Sequence, residues 1–103
     1  KKIDGLFLSK APSYADNNHW LNILQINSKV YGENRERLMK RLEQNSIQTR
    51  PVWKLNHEQR PYKNCQNYKI QNSTKLLENS LCLPSSSNLA NENLEKIIHQ
   101  LNR

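Results

Sequence analysis

The chain has 103 residues and a net charge of +7, and 35% of its residues are hydrophobic. This length corresponds to one domain with a modest core. It contains no run of about 18 apolar residues and no signal-peptide pattern, so we expect neither membrane insertion nor secretion. Because the first residue is Lys1 rather than Met, we expect the chain to be a piece of a longer protein.

The positive charge is concentrated in the middle of the chain. Between Lys29 and Lys75 there are eleven Lys or Arg residues and four Glu residues, which gives this part a net charge of +7. A basic segment of this kind is typical of proteins that bind nucleic acid or another anionic partner, and also of an ordinary solvated surface. The two cysteines, Cys65 and Cys82, have no Cys-x-x-Cys spacing, so the sequence predicts no metal site.

Two strands are predicted in the first quarter of the chain. The apolar residues between Ile3 and Leu8 predict a short strand, which Pro12 follows. The segment 19–27 predicts a second strand, and its apolar residues fall on both faces. Such a pattern is typical of a central strand in a sheet that is covered on two sides. We therefore expect Trp20 to be part of the core.

A helix is predicted from Arg35 to Gln44. Its apolar residues recur at helical spacing and include Leu38, Met39 and Leu42. Asn34 is the predicted N-cap, since its side chain accepts hydrogen bonds from the first turn. Asn45 is the predicted left-handed residue that ends the helix.

A third strand begins at Ile47 and continues into Thr49–Trp53. Pro51 cannot donate to a sheet, so this strand is predicted to be an edge strand or to end in a bulge. Five side chains in and after this strand supply two cations, two aromatic rings and one imidazole: Arg50, Trp53, His57, Arg60 and Tyr62. Loops held by a rigid scaffold commonly carry binding groups, so this segment is the candidate site.

The second half of the chain predicts a loop, a helix, a strand and a helix. The helix 73–79 is capped by Asn72 in this prediction, with Leu76 and Leu77 facing inward. A brief strand, 81–83, ends at Pro84. The last helix, 91–102, has the clearest apolar spacing in the chain, and Asn91 is its predicted N-cap. Alternating strands and helices predict an α+β or α/β sandwich in which helices pack on a small sheet.

An ordered set of short motifs resembles one enzyme family. The motifs are Asn18-His19-Trp20-Leu21, Thr49-Arg50-Pro51-Val52-Trp53, His57, Pro61-Tyr62 with Cys65, Leu81-Cys82-Leu83-Pro84-Ser85-Ser86, and Leu89. In this order they resemble the C-terminal small domain of the DegT/DnrJ/EryC1/StrS sugar aminotransferases. The resemblance runs from about Ile3 to the last helix, and it points to the branch that acts on 4-keto sugar nucleotides on the way to legionaminic acid or bacillosamine. Ala90 departs from the Ser or Thr that usually precedes the last helix.

The resemblance implies the C-terminal domain of a type I, pyridoxal phosphate-dependent aminotransferase, with a largely antiparallel sheet. It implies transfer of an amino group, commonly from glutamate, to C4 of a nucleotide-linked keto sugar. It further implies a cytoplasmic homodimer without a nucleic-acid or membrane partner. The family's large domain, which binds the cofactor and supplies its lysine, is absent from this chain. We therefore expect no catalytic residue here, and the chain alone is predicted to be inactive.

By the same resemblance, Arg50, Trp53 and His57 face the cofactor cleft and bind substrate. Arg50 would hold a carboxylate or phosphate, Trp53 would form a flat wall, and His57 would donate to a sugar hydroxyl or phosphate. Two other classes remain open from the residues alone. One is a small basic module that binds nucleic acid, with Trp53 and Tyr62 as stacking groups. The other is a regulatory or interaction domain without catalysis.

Overall fold

A computed structural model describes residues 2–102, which form a four-stranded antiparallel sheet with helices on both faces. The spatial order of the strands is β1-β2-β4-β3. The strands are β1 (Leu6–Leu8), β2 (Asn22–Ile26), β3 (Arg50–Pro51) and β4 (Ser80–Leu83). The predicted α+β fold with a largely antiparallel sheet is confirmed.

Four helices connect and cover these strands. They are α1 (Ser28–Tyr31), α2 (Arg35–Gln44), α3 (Gln71–Glu78) and α4 (Asn91–Leu101). Two 3₁₀ turns, Asn56–Glu58 and Arg60–Tyr62, occupy the segment that was predicted to be irregular. The sequence predicted α2, α3 and α4 but treated α1 as a simple connection. Among the described residues, every helix is too short or too polar to cross a lipid bilayer.

The main core lies between one face of the sheet and helices α2 and α4. Strand β2 pairs with β4 so that Leu24 lies opposite Leu81. Neighbouring side chains on a strand point to opposite faces, so Leu24, Ile26 and Leu81 share this face. The buried cluster contains Leu6, Leu24, Ile26, Tyr31, Leu38, Leu42, Ile47, Leu81, Ile97 and Leu101. The prediction of an internal strand is confirmed, because β2 lies between β1 and β4. Its second face, toward α3, is only partly covered, since Ile23 and Gln25 are partly buried and line a cavity.

The prediction that Trp20 is a core residue is wrong. Strand β2 begins at Asn22, three residues later than predicted, and Trp20 is 67% exposed. The backbone N–H groups of His19 and Trp20 donate to the side-chain oxygens of Asn17 and Asn18, at 3.0 and 3.1 Å. Asn side chains that capture backbone donors in this way favour turns over strands.

The predicted start of α2 is confirmed, whereas its predicted end is wrong. Asn34 is the N-cap, and its side-chain oxygen accepts from the backbone N–H of Arg37 at 3.0 Å, as predicted. Asn45 is not left-handed, since its φ is −97°. The left-handed residue is Ser46, with a φ of 60°. Asn45 instead donates its side-chain amide to the carbonyl of Arg41.

The predicted caps of the other two long helices are also wrong. Helix α3 begins one residue before Asn72, and helix α4 begins at Asn91 itself. Their N-cap positions are Ile70 and Ala90, and neither provides a side-chain hydrogen bond. Both helices are therefore held by packing, which supplies most helical stability in proteins. Leu77 is partly buried against the sheet as predicted, whereas Leu76 is exposed.

A polar network ties α1, α2 and α4 together at the edge of the core. Arg41 donates to Glu33, with 2.9 Å between Nη2 and Oε2, and to the hydroxyl of Tyr31 at 2.9 Å. The Tyr31 hydroxyl donates in turn to the carbonyl of Leu101 at 3.0 Å. Hydrogen bonding to Glu33 raises the pKa of Arg41 above its ordinary value. Glu33 is buried, and a buried carboxylate requires such a partner.

Gly5 allows the turn before β1 to approach α1 closely. Its φ of 79° belongs to the left-handed region that other residues disfavour. A Cβ at this position would lie 2.5 Å from the backbone nitrogen of Tyr31 and 2.8 Å from its Cβ. These atoms belong to the buried end of α1, so they have little room to move.

We expect Gly5→Ala to lower the free energy of unfolding by more than about 2 kcal/mol, because it adds a steric clash to an unfavourable φ. Gly32→Ala is the matched control. Gly32 has the same φ of 79° but is exposed, so its loss should stay near about 1 kcal/mol. Urea unfolding of both variants measures the difference. Equal losses would show that the contact with Tyr31 contributes nothing.

Candidate functional site

Arg50 lies at the edge of the sheet, where it is exposed. It is the first residue of β3 and lies opposite Cys82 of β4. Strand β3 pairs only on one side and ends at Pro51 after two residues, so the predicted edge strand is confirmed. The Arg50 guanidinium makes no hydrogen bond or ion pair with any residue from 2 to 102. Its donors are therefore available to a ligand.

A cavity of about 490 Å³ opens beside Arg50 at this end of the sheet. Its wall comes from segments before β2 and β3, from the segment after β4, and from α4. Polar and aromatic groups in the wall include Trp20, Arg50, Ser85, Ser86, Asn93 and Lys96. None of the described residues that line it is Asp or Glu. Two cations without a lining carboxylate favour an anion, and the volume is typical of small-molecule sites.

Trp20 lines this cavity, and Trp53, which does not line it, packs against Trp20. The rings of Trp20 and Trp53 have centroids 5.8 Å apart and are tilted by 53°, a favourable arrangement for an aromatic pair. Trp53 is 65% exposed, so the pair presents its flat surfaces to solvent. The hydroxyl of Ser85 donates to the carbonyl of Trp20 at 2.7 Å and fixes the segment before β2. Trp20 thereby connects Trp53 to the cavity that contains Arg50.

His57 lies apart from this cavity. It is the middle residue of the first 3₁₀ turn, is partly buried, and does not line the cavity wall. The side chain of Gln59 donates to the carbonyl of Lys54 at 3.2 Å and closes the loop around this turn. The structure therefore brings Arg50 and Trp53 together through Trp20, while His57 extends the candidate surface along the loop.

Sequence reasoning missed several residues in the cavity wall. The sequence did not single out Lys96, and it singled out Ser85 and Ser86 only as part of the family motif. These residues reach the cavity because the turn after β4 and one side of α4 both border the open end of the sheet. The Pro84-Ser85-Ser86 motif was the one available signal, since it belonged to the family resemblance.

The cysteines differ in their surroundings. Both are free; Cys65 is exposed, whereas Cys82 is partly buried and lines the cavity. Burial raises the pKa of the Cys82 thiol. Within residues 2–102, no three His, Cys, Asp or Glu side chains come close enough together to hold a metal ion.

The profile of the DegT/DnrJ/EryC1/StrS aminotransferase family matches residues 1–102. The chain belongs to this family. The match extends over almost its whole length, so it includes the segment that carries Arg50, Trp53 and His57. The resemblance inferred from short motifs is thereby confirmed at the level of the family.

Solved aminotransferases share the fold of this family member. The aminotransferase TlmJ from Streptoalloteichus hindustanus has a TM-score of 0.80 at 18% identity, over 97% of this chain and 26% of its own. DesI, solved in the presence of its TDP-sugar product, has a TM-score of 0.81 at 21% identity, over 94% of this chain and 25% of its own. The sugar aminotransferase CalS13 from Micromonospora echinospora has a TM-score of 0.79 at 15% identity, over 96% of this chain and 25% of its own. The chain spans about a quarter of the length of these structures.

We expect iodoacetamide to modify Cys65 at least about tenfold faster than Cys82 at neutral pH, because the thiolate is the nucleophile and burial disfavours it. In a Cys65→Ser variant, the rate at Cys82 should continue to rise above the ordinary pKa of a thiol. Mass spectrometry of the labelled protein measures both rates. Equal rates for the two cysteines would contradict the burial of Cys82.

The same labelling tests whether the cavity binds an anion. Inorganic diphosphate should slow the labelling of Cys82 in the Cys65→Ser protein, relative to sodium chloride at equal ionic strength. Lys96→Gln should weaken this protection, whereas Lys63→Gln, an exposed lysine outside the cavity wall, should not. Protection that is equally lost in both variants would indicate general screening instead of a site.

Proposed function

We propose that this chain is the C-terminal small domain of a sugar aminotransferase, residues 1–103, and that Arg50, Trp53 and His57 bind its substrate. The observation that carries the proposal is the family match over residues 1–102. The fold likeness to three aminotransferases agrees with it, although at 15–21% identity this likeness concerns architecture only. The cationic cavity beside a pair of tryptophans is suited to an anionic ligand with a flat or cyclic part.

The full proposal names the substrates. The enzyme transfers an amino group from glutamate to C4 of a nucleotide-linked 4-keto sugar, in the branch that makes legionaminic acid or bacillosamine for surface glycans. The motif order in this chain supports the branch, and DesI, a structure of the same fold, was solved with a TDP-sugar product. We further propose a cytoplasmic homodimer that has no nucleic-acid or membrane partner.

The residues of this chain do not form the main binding site of pyridoxal phosphate. The cofactor requires a lysine for the Schiff base and an acid that pairs with its pyridine nitrogen. Lys96 is the one lysine among the described residues of the cavity wall, and the wall contains no Asp or Glu. We therefore assign the cofactor to the part of the protein outside these 103 residues, and no catalytic residue to this chain.

Each proposed substrate-binding residue has a distinct physical role. The Arg50 guanidinium has no hydrogen-bond partner among residues 2–102 and can hold a carboxylate or phosphate through two parallel hydrogen bonds. Trp53, supported by Trp20, offers a rigid wall against a sugar or base ring. His57 has a donor and an acceptor available for a sugar hydroxyl, or two donors when protonated. Together they would orient the substrate and exclude water from one side of it.

We expect Arg50→Ala to lower the kcat/KM of the full-length enzyme by about ten- to a hundredfold, which corresponds to the loss of a charge-assisted contact of about 1.5–3 kcal/mol. Arg50→Lys should cost nearly as much, because a point charge does not replace the planar fork. Arg37→Ala on the exposed side of α2 is the matched control and should change little. Steady-state kinetics and melting temperatures on the same preparations measure both effects. Normal kcat/KM in folded Arg50→Ala enzyme would remove Arg50 from the site.

His57→Ala should have a smaller effect, mainly as a higher KM, because His57 positions the substrate without taking part in the reaction. The melting temperature should stay close to that of the parent enzyme. The competing account makes His57 a surface residue whose loss changes neither constant. Unchanged KM and kcat in the His57→Ala enzyme would support that account.

A further inference from the structure

The segment that carries Trp53 and His57 has few ties to the rest of the chain. It lies between β3 and α3 and contains both 3₁₀ turns. Every hydrogen bond that residues 53–69 make within the described part of the chain ends inside this same segment. Connections of this length without a long helix or strand are uncommon, and they are usually functional when ordered. We call residues 53–69 the Trp53 segment.

An aromatic contact with Trp20 holds the first residue of the Trp53 segment. The two indole rings have centroids 5.8 Å apart and a tilt of 53°. Both residues are about two-thirds exposed, so the contact lies outside the core. Leu55 is the one apolar residue of the segment that is partly buried, and it lines an apolar cavity beside α3. The orientation of the Trp53 ring therefore depends on Trp20.

The backbone of Trp20 is itself fixed at both of its polar groups. Its N–H donates to Oδ1 of Asn18 at 3.1 Å, and its carbonyl accepts from the hydroxyl of Ser85 at 2.7 Å. The preceding residue, His19, has a φ of 53°, which residues other than glycine adopt rarely. Such conformations persist where the surroundings fix them, and they cluster at functional sites. Here they hold an exposed indole, which a role in core packing does not explain.

Trp20 also belongs to the wall of the cationic cavity. It is the one aromatic residue among the described residues of that wall, which Arg50 and Lys96 also line. Trp53 does not line the cavity, and it meets the wall through the ring of Trp20. The position of Trp20 thus determines how the exposed face of Trp53 is placed relative to Arg50.

We propose that Trp20 is a positioning residue for the aminotransferase reaction and that it acts through Trp53. The Trp20 ring holds the Trp53 ring at a fixed tilt beside the cavity that contains Arg50, and Ser85 holds Trp20 through its carbonyl. A substrate that contacts Trp53 and Arg50 together then meets both groups in a fixed arrangement. The inference rests on the proposed function, in which these two residues bind substrate, and it assigns Trp20 no contact with the reacting atoms.

A double-mutant cycle in the full-length enzyme tests whether Trp20 acts through Trp53. Trp20→Ala should lower kcat/KM about two- to tenfold, the range that a favourable aromatic pair contributes. The loss should be mainly a higher KM, because the residue positions the substrate and takes no part in the chemical step. In a Trp53→Ala enzyme, Trp20→Ala should lower kcat/KM no further, since the ring contact is already absent. Losses that add in the double variant would overturn the proposal.

Two further variants separate positioning from folding. Trp20→Phe keeps an aromatic ring, so it should recover most of the kcat/KM that Trp20→Ala loses. Tyr14→Ala is the matched control, because Tyr14 is an exposed aromatic residue of the same segment before β2 and does not line the cavity. It should leave the kinetic constants unchanged. Melting temperatures are measured on the same preparations. An equal loss in Trp20→Phe and Trp20→Ala, or in Tyr14→Ala and Trp20→Ala, would contradict the proposal.

The 103-residue chain offers a spectroscopic readout, because Trp20 and Trp53 are its two tryptophans. Two tilted indole rings in contact give an exciton couplet in circular dichroism, and replacing either tryptophan with Phe should abolish it. Ser85→Ala should weaken the couplet, since the Trp20 carbonyl loses its donor. Ser87→Ala, which changes an exposed serine outside the cavity wall, should leave it unchanged. Urea unfolding verifies that each variant is folded. A couplet that persists in Trp20→Phe would overturn the ring contact, and one that is unchanged in Ser85→Ala would overturn the role of Ser85.

Limited trypsin digestion of the full-length enzyme distinguishes failure of this inference from failure of the proposed function. Cleavage after Lys54, the residue that follows Trp53, should be about two- to tenfold faster in Trp20→Ala, because the segment opens more often without its aromatic contact. Tyr14→Ala should not change this rate. A kinetic loss in Trp53→Ala with none in Trp20→Ala would overturn the inference alone. Faster cleavage in Trp20→Ala with normal kinetics in both variants would overturn the role of Trp53 in the proposed function and leave only the ring contact.

Discussion

The pairing of β2 with β4 is the constraint on which the rest of the structure depends. Its register places Leu24 opposite Leu81, so both side chains lie on the face that α2 and α4 cover. A shift of one residue would turn every side chain of the strand to the other face. The same register turns Ser80 to the opposite face, and the separate pairing of β3 with β4 places Cys82 opposite Arg50 at the edge. The core and the cationic cavity are thus consequences of two strand alignments that share β4.

Arg41 and Arg50 have different roles, and their hydrogen bonds show this difference. Arg41 directs its donors to Glu33, Tyr31 and a carbonyl of α4, so it holds three helices together. Arg50 has no such partner within residues 2–102 and faces a cavity with a second cation, Lys96. Two cations near one cavity repel each other, and an anionic ligand relieves that repulsion. An uncompensated arrangement of this kind is more typical of a binding site than of a structural feature.

Local patterns predicted most elements of this fold and failed at features that depend on context. Apolar spacing identified α2 and α4 as well as the internal strand, because periodicity reflects the face that must be buried. The sequence also identified β3 as an edge strand, since Pro51 lacks the donor that an inner strand needs. The caps at Asn72 and Asn91 were wrong because packing, which is not visible in a short window, decides where those helices begin. Trp20 was assigned to the core on residue type alone, whereas two Asn side chains hold its segment in a turn.

The sequence by itself determined the family, the α+β class and the segment that carries Arg50, Trp53 and His57. These features follow from the order of the side chains and their local chemistry, and the sequence contains both. Only the tertiary structure decided that Trp20, Arg50 and Lys96 surround one cavity, and that His57 lies outside it. The same holds for the buried hydroxyl of Ser80, which has no hydrogen-bond partner among residues 2–102. These features depend on which distant segments meet when the sheet forms, and strand register and helix packing determine that only in three dimensions.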